Sequence, residues 1–137
     1  MVTTSKSPRI FGRICTPKDL KAYLDGYIIR QDAAKRVLAT KLCTHLARVN
    51  LEAALEQEAD ERLLAEEKSN MLFIGPTGSG KTRMITLATQ YLDVPLSEGD
   101  ATKFTSSGYI GAKVENLVRT LYYQAKGDLA AAERGII

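Results

Sequence analysis

The 137-residue sequence has little of what covalent or metal-stabilised folds need: two cysteines, one histidine and no tryptophan. Cys15 and Cys43 form no CxxC pair, and with His45 they cannot complete a four-ligand zinc site without carboxylates. We interpret both cysteines as buried or idle free thiols in a reducing cytoplasm. No apolar run approaches the roughly 20 residues of a membrane span. Residues 1–13 lack the apolar core of a secretory signal.

Charge of either sign is modest in total, but it is unevenly placed along the chain. The net charge is +3, with +7 in residues 1–50, −5 in residues 51–68 and +1 in residues 69–137. A basic N-terminal part could favour nucleic acid. Its charges are spread along predicted helical faces, with no Arg/Lys-rich arm, so a solvated surface is the favoured interpretation.

The first half of the sequence predicts helices. Residues 1–15 show no periodicity and predict a disordered lead-in. Thr16, Pro17 and Asp19 form a helix start, and Gly26 ends that helix. Residues 27–29 are a short apolar connector. A longer helix follows from Gln31 and Asp32, and its apolar positions are Ala34, Val37, Leu38, Leu42, Leu46 and Val49. Residues 51–68 predict an acidic, exposed helical extension.

The second half predicts an α/β pattern. Residues 71–74 are a continuous apolar run, as expected for a parallel strand buried on both faces. A helix is predicted from about Lys81 to Tyr91, and a second strand begins near residues 94–96. A further helix has its apolar face at Val114, Leu117, Val118, Leu121, Tyr122 and Ala125. A short helix through Glu133 and the start of another buried strand at residues 135–137 complete the pattern.

A glycine-rich loop between the first predicted strand and the next helix is the main functional motif. It consists of Gly75, Pro76, Thr77, Gly78, Ser79, Gly80, Lys81 and Thr82, which match GxxxxGK[ST] in full. Glycines in such a loop let backbone N–H groups approach phosphates closely. The motif predicts that Lys81 reaches the β- and γ-phosphates of ATP and that the Thr82 hydroxyl binds Mg²⁺. No apolar strand ending in Asp or Glu follows Thr82. The sequence therefore predicts that the chain binds a nucleotide and contains no catalytic residue.

Four stretches, in order and spacing, resemble the ClpX and HslU group of AAA+ protein unfoldases. Residues 70–82 resemble the Walker A region, and residues 25–31 resemble the segment that packs on adenine. Gly108, Tyr109, Ile110 and Gly111 resemble the GYVG pore loop, and residues 134–137 resemble the segment just before the Walker B strand. The last stretch favours ClpX, whereas residues 101–105 are closer to HslU.

The resemblance implies an α/β P-loop NTPase fold with a parallel-sheet core, here incomplete and preceded by helices. It divides the chain into the lead-in (1–15), an N-terminal helical segment (16–68) and a partial P-loop core (69–137). It implies a cytoplasmic homo-hexamer that uses ATP to unfold proteins. Its partners would be unfolded or tagged protein substrates and a ClpP-like peptidase. Neither a membrane nor nucleic acid is an expected partner. Tyr27, Ile28 and Ile29 would contact adenine, and Tyr109 would grip substrate.

The sequence departs from the family pattern at several points. Arg30 stands where the family has glycine, and Ser106 and Ser107 replace the polar and acidic residues before the pore glycine. The N-terminal zinc-binding domain, Walker B acids, sensors and arginine finger are absent, so the chain by itself is expected to be inactive as an ATPase. The alternatives are a nucleic-acid-remodelling P-loop ATPase and a non-catalytic nucleotide-binding module.

Overall fold

The computed structural model describes residues 10–55, 70–103 and 114–137. These ranges hold α1 (Pro17–Asp25), α2 (Asp32–Leu55), α3 (Lys81–Leu92), α4 (Val114–Gln124), α5 (Leu129–Glu133) and a short 3-10 helix (Ala101–Lys103). None of these helices is both long enough and apolar enough to cross a membrane.

Helix α1 begins with the predicted cap. The Thr16 hydroxyl accepts the Asp19 N–H at 3.2 Å, and the Asp19 carboxylate accepts the Thr16 N–H at 3.0 Å. This reciprocal capping box satisfies two of the N–H groups that a helix start leaves unpaired. Pro17 occupies the first turn, and Gly26 ends the helix as the sequence predicts.

Helix α2 starts at Asp32 and continues into residues 51–55, the first part of the predicted acidic extension. Residues 56–69 lie outside the described residues. The apolar face of α2 is placed largely as predicted, with buried side chains at Leu38, Leu42, Leu46 and Val49. Val37 is exposed instead, because the buried stripe passes through Ala39 on the other side of Leu38.

One hydrophobic core is shared by α1, α2 and α3. Its buried members are Leu20, Leu24, Ile28, Leu38, Ala39, Leu42, Leu46, Met84, Leu87, Ala88 and Leu92. Fully burying a leucine-sized side chain stabilises a fold by roughly 1.5–3 kcal/mol. The helix that follows the glycine loop is therefore held directly against the two N-terminal helices.

Residues 10–15 correct the prediction of a disordered lead-in. The Phe11 N–H donates to the Asn50 side chain at 2.7 Å, and the Asn50 amide donates back to the Phe11 carbonyl at 3.1 Å. The Arg13 N–H donates to the Leu92 carbonyl at the end of α3. These contacts fix the segment against α2 and α3. Residues 1–9 lie outside the described residues.

The predicted first strand, residues 71–74, is not a strand buried on both faces. Met71 and Phe73 pack against the core, whereas Leu72 and Ile74 are 85% and 88% exposed. The segment is extended but pairs with no other segment among the described residues. A strand of a parallel sheet is buried on both faces only where helices pack on each face, and in the described ranges only the face of Met71 and Phe73 is covered.

The other two predicted strands meet each other. Leu96 and Ile136 form an isolated parallel bridge. The Ser97 N–H donates to the Ile136 carbonyl at 2.9 Å, and the Ile136 N–H donates to the Pro95 carbonyl at 2.9 Å. The pairing direction agrees with the predicted parallel arrangement, but in the described part of the chain the pairing is a single bridge, not a ladder.

Helix α4 buries less of its apolar face than its periodicity predicts. Leu121 and Ala125 are buried, whereas Val118 and Tyr122 are exposed. The helix packs against the short α5, which covers only part of that face. The helical period of the apolar residues therefore predicted the helix correctly, but fewer of these side chains are buried than the period predicted.

Candidate nucleotide-binding site

The main chain of the glycine loop is uncovered at two glycines that have a left-handed backbone conformation. Gly78 and Gly80 have φ angles of +81° and +84°, in the region that L side chains rarely adopt. A Cβ added at either position would meet no heavy atom within 4 Å. A side chain at these positions would be strained by the backbone conformation, so glycine is favoured there, and the loop keeps an uncovered main chain that a phosphate group can approach.

The lysine of the motif lies inside the loop that precedes it. The Lys81 ammonium donates to the carbonyls of Gly75 at 2.9 Å and Pro76 at 2.8 Å, and it lies 3.4 Å from the Ser79 hydroxyl. Helix α3 begins at Lys81, and its N-cap residue is Gly80, which has no side chain with which to cap the helix. An ammonium beside an uncapped helix start presents positive charge and N–H donors to one point, which suits an anionic oxygen.

Thr82 is exposed in the first turn of α3, next to Lys81. Its main-chain carbonyl accepts the Thr86 hydroxyl at 2.9 Å, as in a regular helical turn. A hydroxyl oxygen is a suitable ligand for Mg²⁺, which binds through few protein oxygens and the phosphates of its nucleotide. The donor set at this helix start therefore fits a magnesium–nucleotide complex.

The predicted adenine-contacting residues do not share one environment. Ile28 lies in the core, whereas Tyr27 and Ile29 are 57% and 89% exposed. The Tyr27 ring contacts the Tyr23 ring with centroids 4.9 Å apart, and Tyr23 in turn stacks on Tyr91 of α3 at 4.4 Å. The connector thus presents Tyr27 and Ile29 to solvent and uses Ile28 to anchor itself.

In the structure the connector extends over residues 27–31, and it touches the glycine loop through Gln31, which is not among the predicted adenine contacts. The Gln31 side-chain amide donates to the Ser79 carbonyl, across 48 positions of sequence. Arg30 and Gln31 both have positive φ angles, +64° and +61°. Arg30 therefore adopts a conformation that glycine adopts without strain, at the position where the resembling family carries glycine.

A second unassigned residue is Lys35, which is 2% exposed. Its ammonium donates to Asp25 and to the Ile28 carbonyl at the base of the connector. The sequence offered one indication: Lys35 precedes Leu38 and Leu42 by three and seven positions and so lies on the buried stripe of α2. A charged residue on a buried stripe indicates a specific partner.

The predicted pore loop, Gly108 to Gly111 with Tyr109 and Ile110, lies outside the described residues. The described chain before it ends in the 3-10 helix. There the Asp100 carboxylate accepts the Thr102 N–H at 3.0 Å and the Thr102 hydroxyl at 2.6 Å. The position of Tyr109 therefore stays a prediction from the sequence.

Cys15 and Cys43 are free and partly buried, with their sulfur atoms 3.8 Å apart. Burial, together with the neighbouring Cys15, raises the pKa of the Cys43 thiol to about 12. Cys43 therefore stays protonated, and unreactive as a nucleophile, at neutral pH.

An extended apolar segment, a left-handed glycine loop and a helix that opens on an inward lysine together define a P-loop nucleotide-binding protein. The model of the ATPase family associated with various cellular activities (AAA) matches residues 71–132. Over these residues the chain is similar to the AAA family, and it is ClpX-like.

Three curated relatives are ATP-dependent Clp protease ATP-binding subunits ClpX. The subunit from Treponema denticola is 44% identical over 126 residues, which cover 92% of this chain and 29% of that protein. The subunits from Borrelia duttonii and Borrelia recurrentis are each 42% identical over 134 residues, 98% of this chain and 29% of theirs. The chain thus spans less than a third of the length of these relatives, and their names do not favour the nucleic-acid-remodelling alternative.

Proposed function

We propose that this chain is the ATP-binding part of an AAA+ ATPase that unfolds protein substrates for a partner peptidase. The open glycine loop with Lys81 inside it carries the proposal, because it occurs in a chain 42–44% identical to ClpX subunits over almost its whole length. The assembled ATPase would be a homo-hexamer that works in the cytoplasm with a ClpP-like peptidase.

The proposed nucleotide site uses the loop residues in distinct roles. The main-chain N–H groups of the loop from Gly75 to Gly80, which all its residues except Pro76 possess, surround the phosphates, and the Lys81 ammonium exchanges its two carbonyl partners for phosphate oxygens. The Thr82 hydroxyl supplies one oxygen to Mg²⁺. Tyr27 and Ile29 offer the base an apolar surface, which Ile28 anchors from the core. When bound, ATP supplies the transferable phosphoryl group.

The proposed architecture is an N-terminal helical segment (16–68) joined to a P-loop core (69–137) built on a parallel sheet. The parallel bridge between Leu96 and Ile136 supports the sheet. The exposed Leu72 and Ile74 also support it, because an apolar face on an extended segment is suited to a sheet whose second face other elements cover. Gly108, Tyr109, Ile110 and Gly111 would form a substrate-gripping loop beyond this core.

Calorimetry of ATP binding tests the nucleotide site. A hydrogen bond to a charged group contributes roughly 1.5–3 kcal/mol, so Lys81→Ala should weaken Mg·ATP binding about tenfold to over a hundredfold. Arg119→Ala, which removes one exposed positive charge from α4, should bind ATP like the parent chain. Equal affinity of the Lys81→Ala and parent chains would overturn the assignment of the phosphate loop.

A further inference from the structure

Lys35 joins three parts of the molecule. Its buried ammonium donates to the Asp25 carboxylate at 2.9 Å, at the end of α1, and to the main-chain carbonyl of Ile28 in the connector. A buried ammonium is costly unless it is paired and hydrogen-bonded, and here a carboxylate and a carbonyl supply both. The base of the connector is thereby fixed to α1 and to α2 at once.

Lys21 reinforces the pairing of Lys35 with Asp25 from the solvent side. Lys21 donates to Asp25 at 2.7 Å and to Asp32, in the first turn of α2, at 3.2 Å. Hydrogen bonds from Lys21, and then from Lys35, hold the pKa of the Asp25 carboxyl below its ordinary value. Asp25 therefore stays ionised at neutral pH and keeps its attraction for Lys35.

Gln31 fixes the other end of the connector. Its side-chain amide donates to the Ser79 carbonyl in the phosphate loop, while the Gln31 carbonyl accepts the Lys35 N–H at 3.0 Å. Residues 27–31 are thus tied at one end to the helices and at the other end to the loop. Ile29 lies between the two ties and Tyr27 lies next to the tied Ile28, and both are exposed apolar side chains.

We propose that Lys35 and Gln31 are positioning residues that hold the connector at a fixed spacing from the phosphate loop, so that one rigid unit binds both the base and the phosphates of a purine nucleotide. The inference rests on the proposed nucleotide-binding function. A ligand that touches two surfaces gains affinity when their spacing is set before it binds, because less ordering remains to be done on binding. Neither residue has to contact the nucleotide for this effect.

The Gln31 tie can be removed with little disturbance to the core, because Gln31 is exposed. Gln31→Met keeps side-chain length and charge but removes the donor. ADP, which has both a base and phosphates, is compared with inorganic tripolyphosphate, which has no base, by calorimetry with Mg²⁺. Loss of the tie should weaken ADP binding about threefold to tenfold and change tripolyphosphate binding by less than about twofold. Gln124→Met, an exposed glutamine of α4, is the matched control and should change neither.

Equal losses for ADP and tripolyphosphate in Gln31→Met would overturn the proposal, because Gln31 would then shape only the loop. No loss for either ligand would also overturn it. Failure of the parent chain to bind ADP or tripolyphosphate would instead refute the proposed function, so the two failures are distinguishable.

Lys35 is tested by a pair of variants measured with the same two ligands. Lys35→Met should reduce ADP affinity more than tripolyphosphate affinity, and Lys35→Arg, which keeps a charged donor, should recover part of the difference. A folded Lys35→Met chain with the parent ratio of the two affinities would overturn the positioning role of Lys35. A Lys35→Met chain that no longer folds would do the same, since it would leave Lys35 a structural role only.

Discussion

At the residue scale, the connector carries a conformational cost at Arg30. A left-handed conformation costs a non-glycine residue roughly 1–2 kcal/mol, and Arg30 has a φ angle of +64°. The neighbouring Gln31 shares this conformation, and its side chain is the one that reaches the phosphate loop. The strain thus lies where the connector turns from its core anchor toward the loop.

Arg30→Gly should stabilise the chain. Relief of the left-handed conformation outweighs the roughly 0.5–1 kcal/mol that glycine costs in backbone entropy, so we expect a net gain of about 0.5–1 kcal/mol in the free energy of unfolding. Urea denaturation measures it. Arg36→Gly is the matched control, because Arg36 is an exposed arginine inside α2, where glycine should destabilise by about 1 kcal/mol. A loss of stability in Arg30→Gly would contradict this account of the turn.

At the element scale, α1 depends on two ionised carboxylates. The Thr16 hydroxyl and N–H lower the pKa of Asp19 in the capping box, and Lys21 followed by Lys35 lowers the pKa of Asp25. A carboxylate whose folded pKa lies below its unfolded value stabilises the fold above that unfolded value, 3.8 here. The stabilisation is lost as the pH falls through the folded pKa. The start and the end of α1 should therefore both weaken in acid.

Asp25→Asn should lower the free energy of unfolding at pH 7, and the difference from the parent chain should shrink as the pH falls through the lowered pKa of the Asp25 carboxyl. Urea denaturation at a series of pH values from 7 to below 3 measures the convergence. The double variant Asp19→Asn and Asp25→Asn should have the flattest dependence on pH. Parent and Asp25→Asn curves that stay parallel down to the lowest pH would show that Asp25 stabilises the fold by something other than its charge.

At the scale of the whole molecule, ATP binding and ATP turnover should separate. The proposed site offers a phosphate cradle and a magnesium ligand, but in the part of the chain that the structure describes no acidic residue ends a buried strand, where it could orient the attacking water. The 137-residue chain should therefore hydrolyse no ATP above background in a phosphate-release assay. Turnover that disappears in Lys81→Ala would contradict this. It would direct attention to Glu98, which accepts the Thr86 hydroxyl at 3.0 Å, and then to Asp100 and Glu115.

Substrate gripping belongs to the same scale, because a pore exists only in a ring. In the proposed pore loop, Gly108 and Gly111 would bound a short segment whose Tyr109 ring would press on any peptide without recognising its sequence. In a ClpX-like hexamer that carries this segment, Tyr109→Ala should leave nucleotide binding close to the parent value and sharply reduce unfolding of a tagged substrate. Unfolding at the parent rate would remove Tyr109 from the proposed mechanism.

The sequence by itself determined the features that depend on neighbours in the chain. The cap at Thr16, the end of α1 at Gly26 and the helices from Asp32 and Lys81 follow from local hydrogen bonding and side-chain period. The phosphate loop follows likewise, because left-handed glycines and a helix start are properties of consecutive residues. For the same reason, the family resemblance was recognisable from short stretches.

Only the tertiary structure decided which parts of the chain pack against one another. Exposure of Leu72 and Ile74, burial of Ile28 and the packing of residues 10–15 depend on distant partners that no local pattern specifies. The tie from Gln31 to Ser79 joins residues 48 positions apart. Such a contact follows from how α1 and α2 pack on α3, because that packing brings the connector to the loop.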